Sequence, residues 1–237
     1  MEKGENMKIK YLAKIVMCIM LPGVYLMATP STQIWNPSTD IQAGGTFHLG
    51  IDNYFSIENN QNKPYAFGTD IGLSYGLMQN LEIGIDVIDP SINPLYFNLK
   101  YGFAETGGFP AIAAGIFNAG TNADSTGYNI LYVVTAKTFD PLGRFSLGYY
   151  CGNDKLLVTE TGTAANTGLI VSWDKIISDK IWLSVDFASG MSLYGSLSFG
   201  GSYMLSSNTS IIFGYVIFNN NFLNTNNTFT VQMDINL

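Results

Sequence analysis

Between residues 46 and 237, bulky apolar side chains recur at every second position in runs of about ten residues, each run broken by turn residues. The last run is the cleanest. Phe229, Val231, Met233, Ile235 and Leu237 alternate with Thr228, Thr230, Gln232, Asp234 and Asn236. Successive side chains of an extended chain point to opposite faces, so such a run is a strand with one apolar and one polar face. Twelve runs follow this pattern, at 46–57, 65–76, 81–88, 95–102, 110–118, 129–137, 144–152, 167–174, 180–188, 194–204, 209–218 and 228–237. Those at 110–118 and 129–137 alternate less regularly, so ten to fourteen strands fit the pattern.

The polar face decides what kind of sheet this is. A soluble sandwich also alternates, but its outward face is normally rich in Lys and Glu. Here the polar positions are mostly Gly, Ser, Asn and Thr, and charged residues make up only 12% of the chain, against roughly 25% in soluble domains. A lipid-facing apolar outside around a small, polar inside fits better. Strands of about 9–11 residues match a tilted crossing of the hydrocarbon core. Closure leaves no unpaired backbone edge in lipid. The expected fold is therefore all-β, a closed antiparallel up-and-down transmembrane β-barrel of about twelve strands over 46–237. A hydrophobic content of 47% excludes disorder, and a formal charge of −7 excludes a basic nucleic-acid binder.

Residues 1–28 read as a secretory signal peptide, with Lys8, Lys10 and Lys14 before a short apolar stretch, Ile15 to Leu26, and a small residue at Ala28. That stretch is too short to span a bilayer, and Met17 before Cys18 is a poor match to a lipoprotein signal. Its removal takes four lysines and two glutamates and moves the net charge from −7 to −9. Cys151 is then the lone cysteine, so no internal disulfide forms. Residues 29–45, with Asn36-Pro37-Ser38-Thr39-Asp40, form a periplasmic N-terminal segment that either plugs the lumen or lies at its rim. The connections at 153–166 and 219–227 are long and polar, and alternate with short turns. They belong outside, with both termini periplasmic.

The hairpin Tyr75-Gly76-Leu77-Met78-Gln79-Asn80-Leu81-Glu82-Ile83-Gly84, with Ser172-Trp173-Asp174, Ile212-Phe213-Gly214-Tyr215 and the final strand, resembles Gram-negative outer-membrane β-barrel proteins, especially transporter-like ones. The resemblance covers 29–237. It implies an outer-membrane, porin-like channel for passive passage of small solutes, contact with outer-membrane lipid, and insertion by the barrel-assembly machinery through the C-terminal strand. The chain ends in Leu237, where that family usually carries an aromatic. The alternatives are a non-conducting structural or surface-binding barrel and, third, a barrel hydrolase.

Charges facing the lumen are the candidate selectivity residues: Asp70, Glu82, Asp86 and Lys100. Glu82 and Asp86 lie on one face about 13 Å apart along the strand. A register pairing Gly84 with Lys100 would set the ammonium between them. On the other side of that strand, pairing Asp70 with Asp86 would oppose like charges, so the register pairing Gly72 with Asp86 is expected. The acidic balance suggests a weak cation preference. His48, the single histidine, shares a face with Asp52, but the His-x-Ser spacing of barrel lipid hydrolases fails at Leu49 and Gly50, and no enzyme activity is expected. No metal or phosphate-loop pattern occurs, and no cofactor is expected. Tyr75, Tyr101, Phe145, Trp173 and Tyr203 at one set of strand ends, and Tyr54, Tyr215 and Phe229 at the other, suggest two aromatic girdles.

Overall fold

The computed structural model describes residues 31–57, 67–89, 91–223 and 226–237. The signal-peptide assignment and Cys18 lie outside them. Twelve strands run in order: β1 Phe47–Phe55, β2 Thr69–Met78, β3 Leu81–Asp89, β4 Leu95–Phe103, β5 Ala111–Gly120, β6 Gly127–Phe139, β7 Gly143–Cys151, β8 Thr167–Ser178, β9 Ile181–Ala188, β10 Ser196–Met204, β11 Thr209–Phe218 and β12 Thr228–Asn236. Each pairs antiparallel with its chain neighbours, and β1 closes on β12 from His48↔Asn236 to Phe55↔Phe229. The result is a closed up-and-down barrel, with no helix among the described residues.

The two faces separate as the alternation requires. On the outside, Phe97 is 49%, Leu131 57% and Phe213 57% exposed. An apolar surface of this extent around a whole barrel is stable only against a nonaqueous medium. Cys151 also faces out. Aromatic pairs sit at both rims: Phe47 with Tyr75 and Phe139 with Phe145 at the end where β1 starts and β12 finishes, Phe55 and Tyr215 with Phe229 at the other. The Trp173 indole donates to the Leu142 carbonyl in the turn below it (2.9 Å), the amphipathic placement expected at an interface. Tyr54 corrects the girdle assignment. It shares the parity of His48 and Asp52 and points inward, edge-on to Trp35 at 5.4 Å.

Inside, the wall is uneven. On β6–β9 the inward side chains include several large ones: Ile130, Tyr132, Val134, Tyr150, Ile170 and Trp182 are all buried. All but Trp182 form an apolar core within the lumen, joined by Leu157 and Tyr194 from the two connections folded into that side. On β1–β3 the inward positions include Gly50, Gly72, Ser74 and Gly84. Space therefore remains along the first strands.

Residues 31–44 lie within the lumen. Thr32 bridges Pro37 in a tight loop, closed by Gln33 N–H to Asn36 O (2.7 Å) and Ser38 N–H to Ser31 O (3.1 Å). Ile34 packs against Trp182 and Ile212. Gly214 makes this fit possible, because a Cβ there would stand 3.0 Å from Ile34 Cγ2. The segment leaves over β2, where Gly44 bridges Gly76. A Cβ on Gly76 would fall 2.1 Å from the Ala43 carbonyl oxygen.

Candidate functional site

Two polar systems share the lumen. The first holds the N-terminal segment in place. The Asp186 carboxylate on β9, fully buried, accepts from the successive backbone N–H groups of Ile34 (2.9 Å), Trp35 (3.3 Å) and Asn36 (3.3 Å), and from the Asn36 side chain (2.7 Å). Three consecutive amides converging on one anion form a backbone nest around it. Arg144 on β7 grips both Asp40 oxygens (2.6 and 2.8 Å) and bonds Asp174 on β8 through Nε (2.9 Å). Its planar fork suits this bidentate geometry. Trp182 Nε1 donates to the other Asp174 oxygen, and Gln232 Nε2 donates to the Ile34 carbonyl.

Glu82 and Lys100, two of the sequence-level candidates, belong to this first system. The register differs from the one that would set Lys100 between two carboxylates: Glu82 pairs Lys100 directly, Gly84 pairs Asn98, and Asp86 pairs Tyr96. Direct opposition of unlike charges favours it. Lys100 Nζ donates to the carbonyls of Ser31 (2.9 Å) and Asp40 (2.7 Å), while Glu82 accepts from the Ser31 hydroxyl and from Gln42 N–H (2.8 Å). Both side chains therefore bind the inserted segment.

The second system is acidic. On the other side of β3 the register is the expected one, Gly72 opposite Asp86, so that Asp70 faces Ile88. The β1–β2 ladder adds what the sequence reading missed: Asp52 stands directly opposite Asp70. Asp52, Asp70 and Asp86 thus form a cluster across three adjacent strands, on the wall of a cavity of about 470 Å³. Asp86 accepts from the Asn98 side chain. None of the ion pairs among the described residues involves any of the three. Aromatic rings complete the wall, among them Trp35, Tyr54, Tyr96 and Tyr128.

His48 does not partner Asp52. Its Nε2 lies 3.2 Å from Asp234 Oδ1 and its Nδ1 3.0 Å from Asn236 Oδ1. Ser74 is its cross-strand neighbour on β2, but both ring nitrogens are already engaged. The geometry therefore leaves neither to take a proton from that hydroxyl. Among the described residues no group of histidine, cysteine, aspartate or glutamate side chains is arranged to hold a metal ion.

No protein-family model matches the chain, and no curated protein is detectably similar to it in sequence. Solved structures do resemble it. The "KdgM porin" superposes with a TM-score of 0.55 at 9% identity, over 79% of this chain and 98% of that one. The "NanC porin" gives 0.47 at 9% identity with the same coverage. An outer membrane channel from Pseudomonas putida F1 gives 0.45 at 10% identity, covering 92% of this chain and all of the other. At such identities the likeness speaks to the fold alone, a closed antiparallel barrel like that of the KdgM porin.

Proposed function

We propose that this chain is an outer-membrane channel of narrow bore that passes small solutes with a preference for cations. Residues 31–44 fill much of the lumen against β7–β12 and reach Glu82 and Lys100 on β3 and β4, and the acid-lined space left along β1–β4 is the path. Both termini face the periplasm, and the outer connections are the long ones. The observation that carries this reading is the Asp52, Asp70 and Asp86 cluster on the cavity wall, with no cationic partner among the described residues. Facing charges at a narrow point set ion preference by field rather than by fit. The fold is a frame for this function and does not by itself establish it.

The test is single-channel current of the refolded chain in a planar bilayer under a salt gradient. The expected result is small, reproducible steps with a cation-selective reversal potential. Asp70→Asn and Asp86→Asn should each move that potential toward zero, and deletion of residues 31–44 should raise the conductance. A folded barrel that carries no current, with or without residues 31–44, overturns the proposal. That result would favour a non-conducting barrel with its contacts at the long connections, a reading supported by the filling of one side of the lumen by Leu157, Tyr194 and the inserted segment.

A further inference from the structure

We propose that the cavity binds a small organic cation, an ammonium or guanidinium head carried on an apolar or aromatic body. The proposal deepens the channel reading and rests on it for how the solute reaches the site.

The unpaired groups define the head. The Asp52 carboxylate, half-buried on the β1 wall of the cavity, accepts no hydrogen bond among the described residues. Asp70 Oδ1 is sealed from solvent and has no partner either. Asp86 receives a single bond, from Asn98. Three carboxylates crowded on one wall of a narrow cavity are stabilised by a counter-charge and by further donors. An ammonium brings three N–H donors and a positive charge, a guanidinium five donors in a plane.

The rest of the wall defines the body. Aromatic rings stand beside the acids, Tyr54 two residues from Asp52 on β1 and Tyr96 across from Asp86 on β4, and Trp35 and Tyr128 line the same cavity. Ring faces attract cations and pack apolar groups, and cages of this composition suit alkyl- and arylammonium ions. The volume, about 470 Å³, lies in the range of small-molecule pockets, roughly 300–1,000 Å³. A bare metal ion would leave most of it empty, and the three carboxylates are not spaced to chelate one. An anion would meet three negative groups. A neutral solute would leave their charge uncompensated.

The test is isothermal titration calorimetry on the refolded full chain in uncharged detergent micelles, with empty micelles as the blank. The probes are 2-phenylethylammonium, 2-phenylethanol and phenylacetate, which share a body and differ in head. The ammonium should bind saturably with one site per chain, and the alcohol and the acid at least about tenfold more weakly, the value of one charge-assisted bond in an enclosed site. Asp52→Asn and Asp70→Asn should each weaken the ammonium by about the same factor, and Asp179→Asn, in a turn at the far end, should leave it unchanged. Heat-modifiable gel mobility establishes that each variant is folded. If both carboxylate variants fail to fold, the comparison of probes on the unaltered chain decides. Equal binding of ammonium and alcohol, or no saturable binding, overturns the proposal, as do two folded carboxylate variants that bind like the parent. Cation-selective current without ammonium binding removes this site and leaves the channel. Ammonium binding without current removes the channel and leaves the site.

Discussion

Asp186→Asn tests how the inserted segment is held, because it changes charge and one acceptor while keeping volume. In the parent, Oδ2 accepts from Ile34 and Trp35 N–H, and Oδ1 from Asn36 N–H and its side chain. An amide has one oxygen. Whichever way it turns, two donors lose their acceptor and face an NH₂, and the remaining pair lose their charge-assisted character. Each buried donor left unpaired costs about 1–3 kcal/mol. With partial relaxation, about 3 kcal/mol of segment seating should be lost, roughly a hundredfold in its equilibrium. The twelve ladders do not pass through Asp186's side chain, so the barrel itself stays closed. Amide hydrogen exchange read by mass spectrometry separates the two. A peptide covering residues 33–37 should exchange about a hundredfold faster, while peptides from β10 to β12 keep their protection. Unchanged exchange at 33–37 in a folded variant would refute the argument that the carboxylate nest seats the segment. Equal loss of protection everywhere would refute the claim that segment and barrel are separable.

Three further outcomes follow from other contacts. Gly76→Ala should displace residues 42–44 from β2 and open the lumen, because its Cβ would fall 2.1 Å from the Ala43 carbonyl oxygen, and larger single-channel steps would report it. Arg144→Met should lower the unfolding midpoint in urea, at a cost of about 3–5 kcal/mol, since it leaves Asp40 and Asp174 without their buried partner. Glu105, in the turn beyond β4, is held below the usual carboxylate range by its bond to Lys137 (2.7 Å). Its contribution is therefore full above the unfolded-state pKa and is lost as pH falls through the folded one. The pair is partly exposed, so Glu105→Gln should cost less than about 1 kcal/mol in urea unfolding at neutral pH and nothing measurable in strong acid.

The strands were legible because lipid imposes a period of two that no other constraint interrupts. The bounds expected for the eleventh strand, 209–218, are those of β11, and the inward set of β12 is the one read from alternation. Pairing across the 77–80 turn was also legible, since parity and like-charge avoidance left Gly72 opposite Asp86. Two things were not. The β1–β2 register could not be derived from the long 56–68 connection, so the opposition of Asp52 and Asp70 went unseen. The path of residues 31–44 has no period, and besides Glu82 and Lys100 its anchors come from strands more than a hundred positions away: Arg144, Asp174, Asp186 and Gln232. A signal was present in retrospect. Arg144, Asp174 and Asp186 are inward charges among serines and apolar groups, and each needed a partner that neighbouring strands supply only in part.

The inserted segment and the acidic cavity are linked through the lumen's cations. Of the basic side chains that face inward from the strands, Arg144 is engaged by Asp40 and Asp174, and Lys100 reaches the carbonyls of Ser31 and Asp40. Both are directed at residues 31–42 rather than at Asp52, Asp70 and Asp86. Seating the segment therefore engages the Lys100 ammonium, which lines the cavity, with backbone carbonyls instead of the three carboxylates. Withdrawing it would free that ammonium to turn toward the cavity. There it would compete with any bound cation. Binding free energies are reciprocal, so a cation that prefers the seated state must in turn stabilise the seating. Hydrogen exchange at residues 33–37 should then slow when 2-phenylethylammonium is added, and should not respond to 2-phenylethanol. An ammonium that bound the cavity without slowing exchange there would show that the two polar systems act independently.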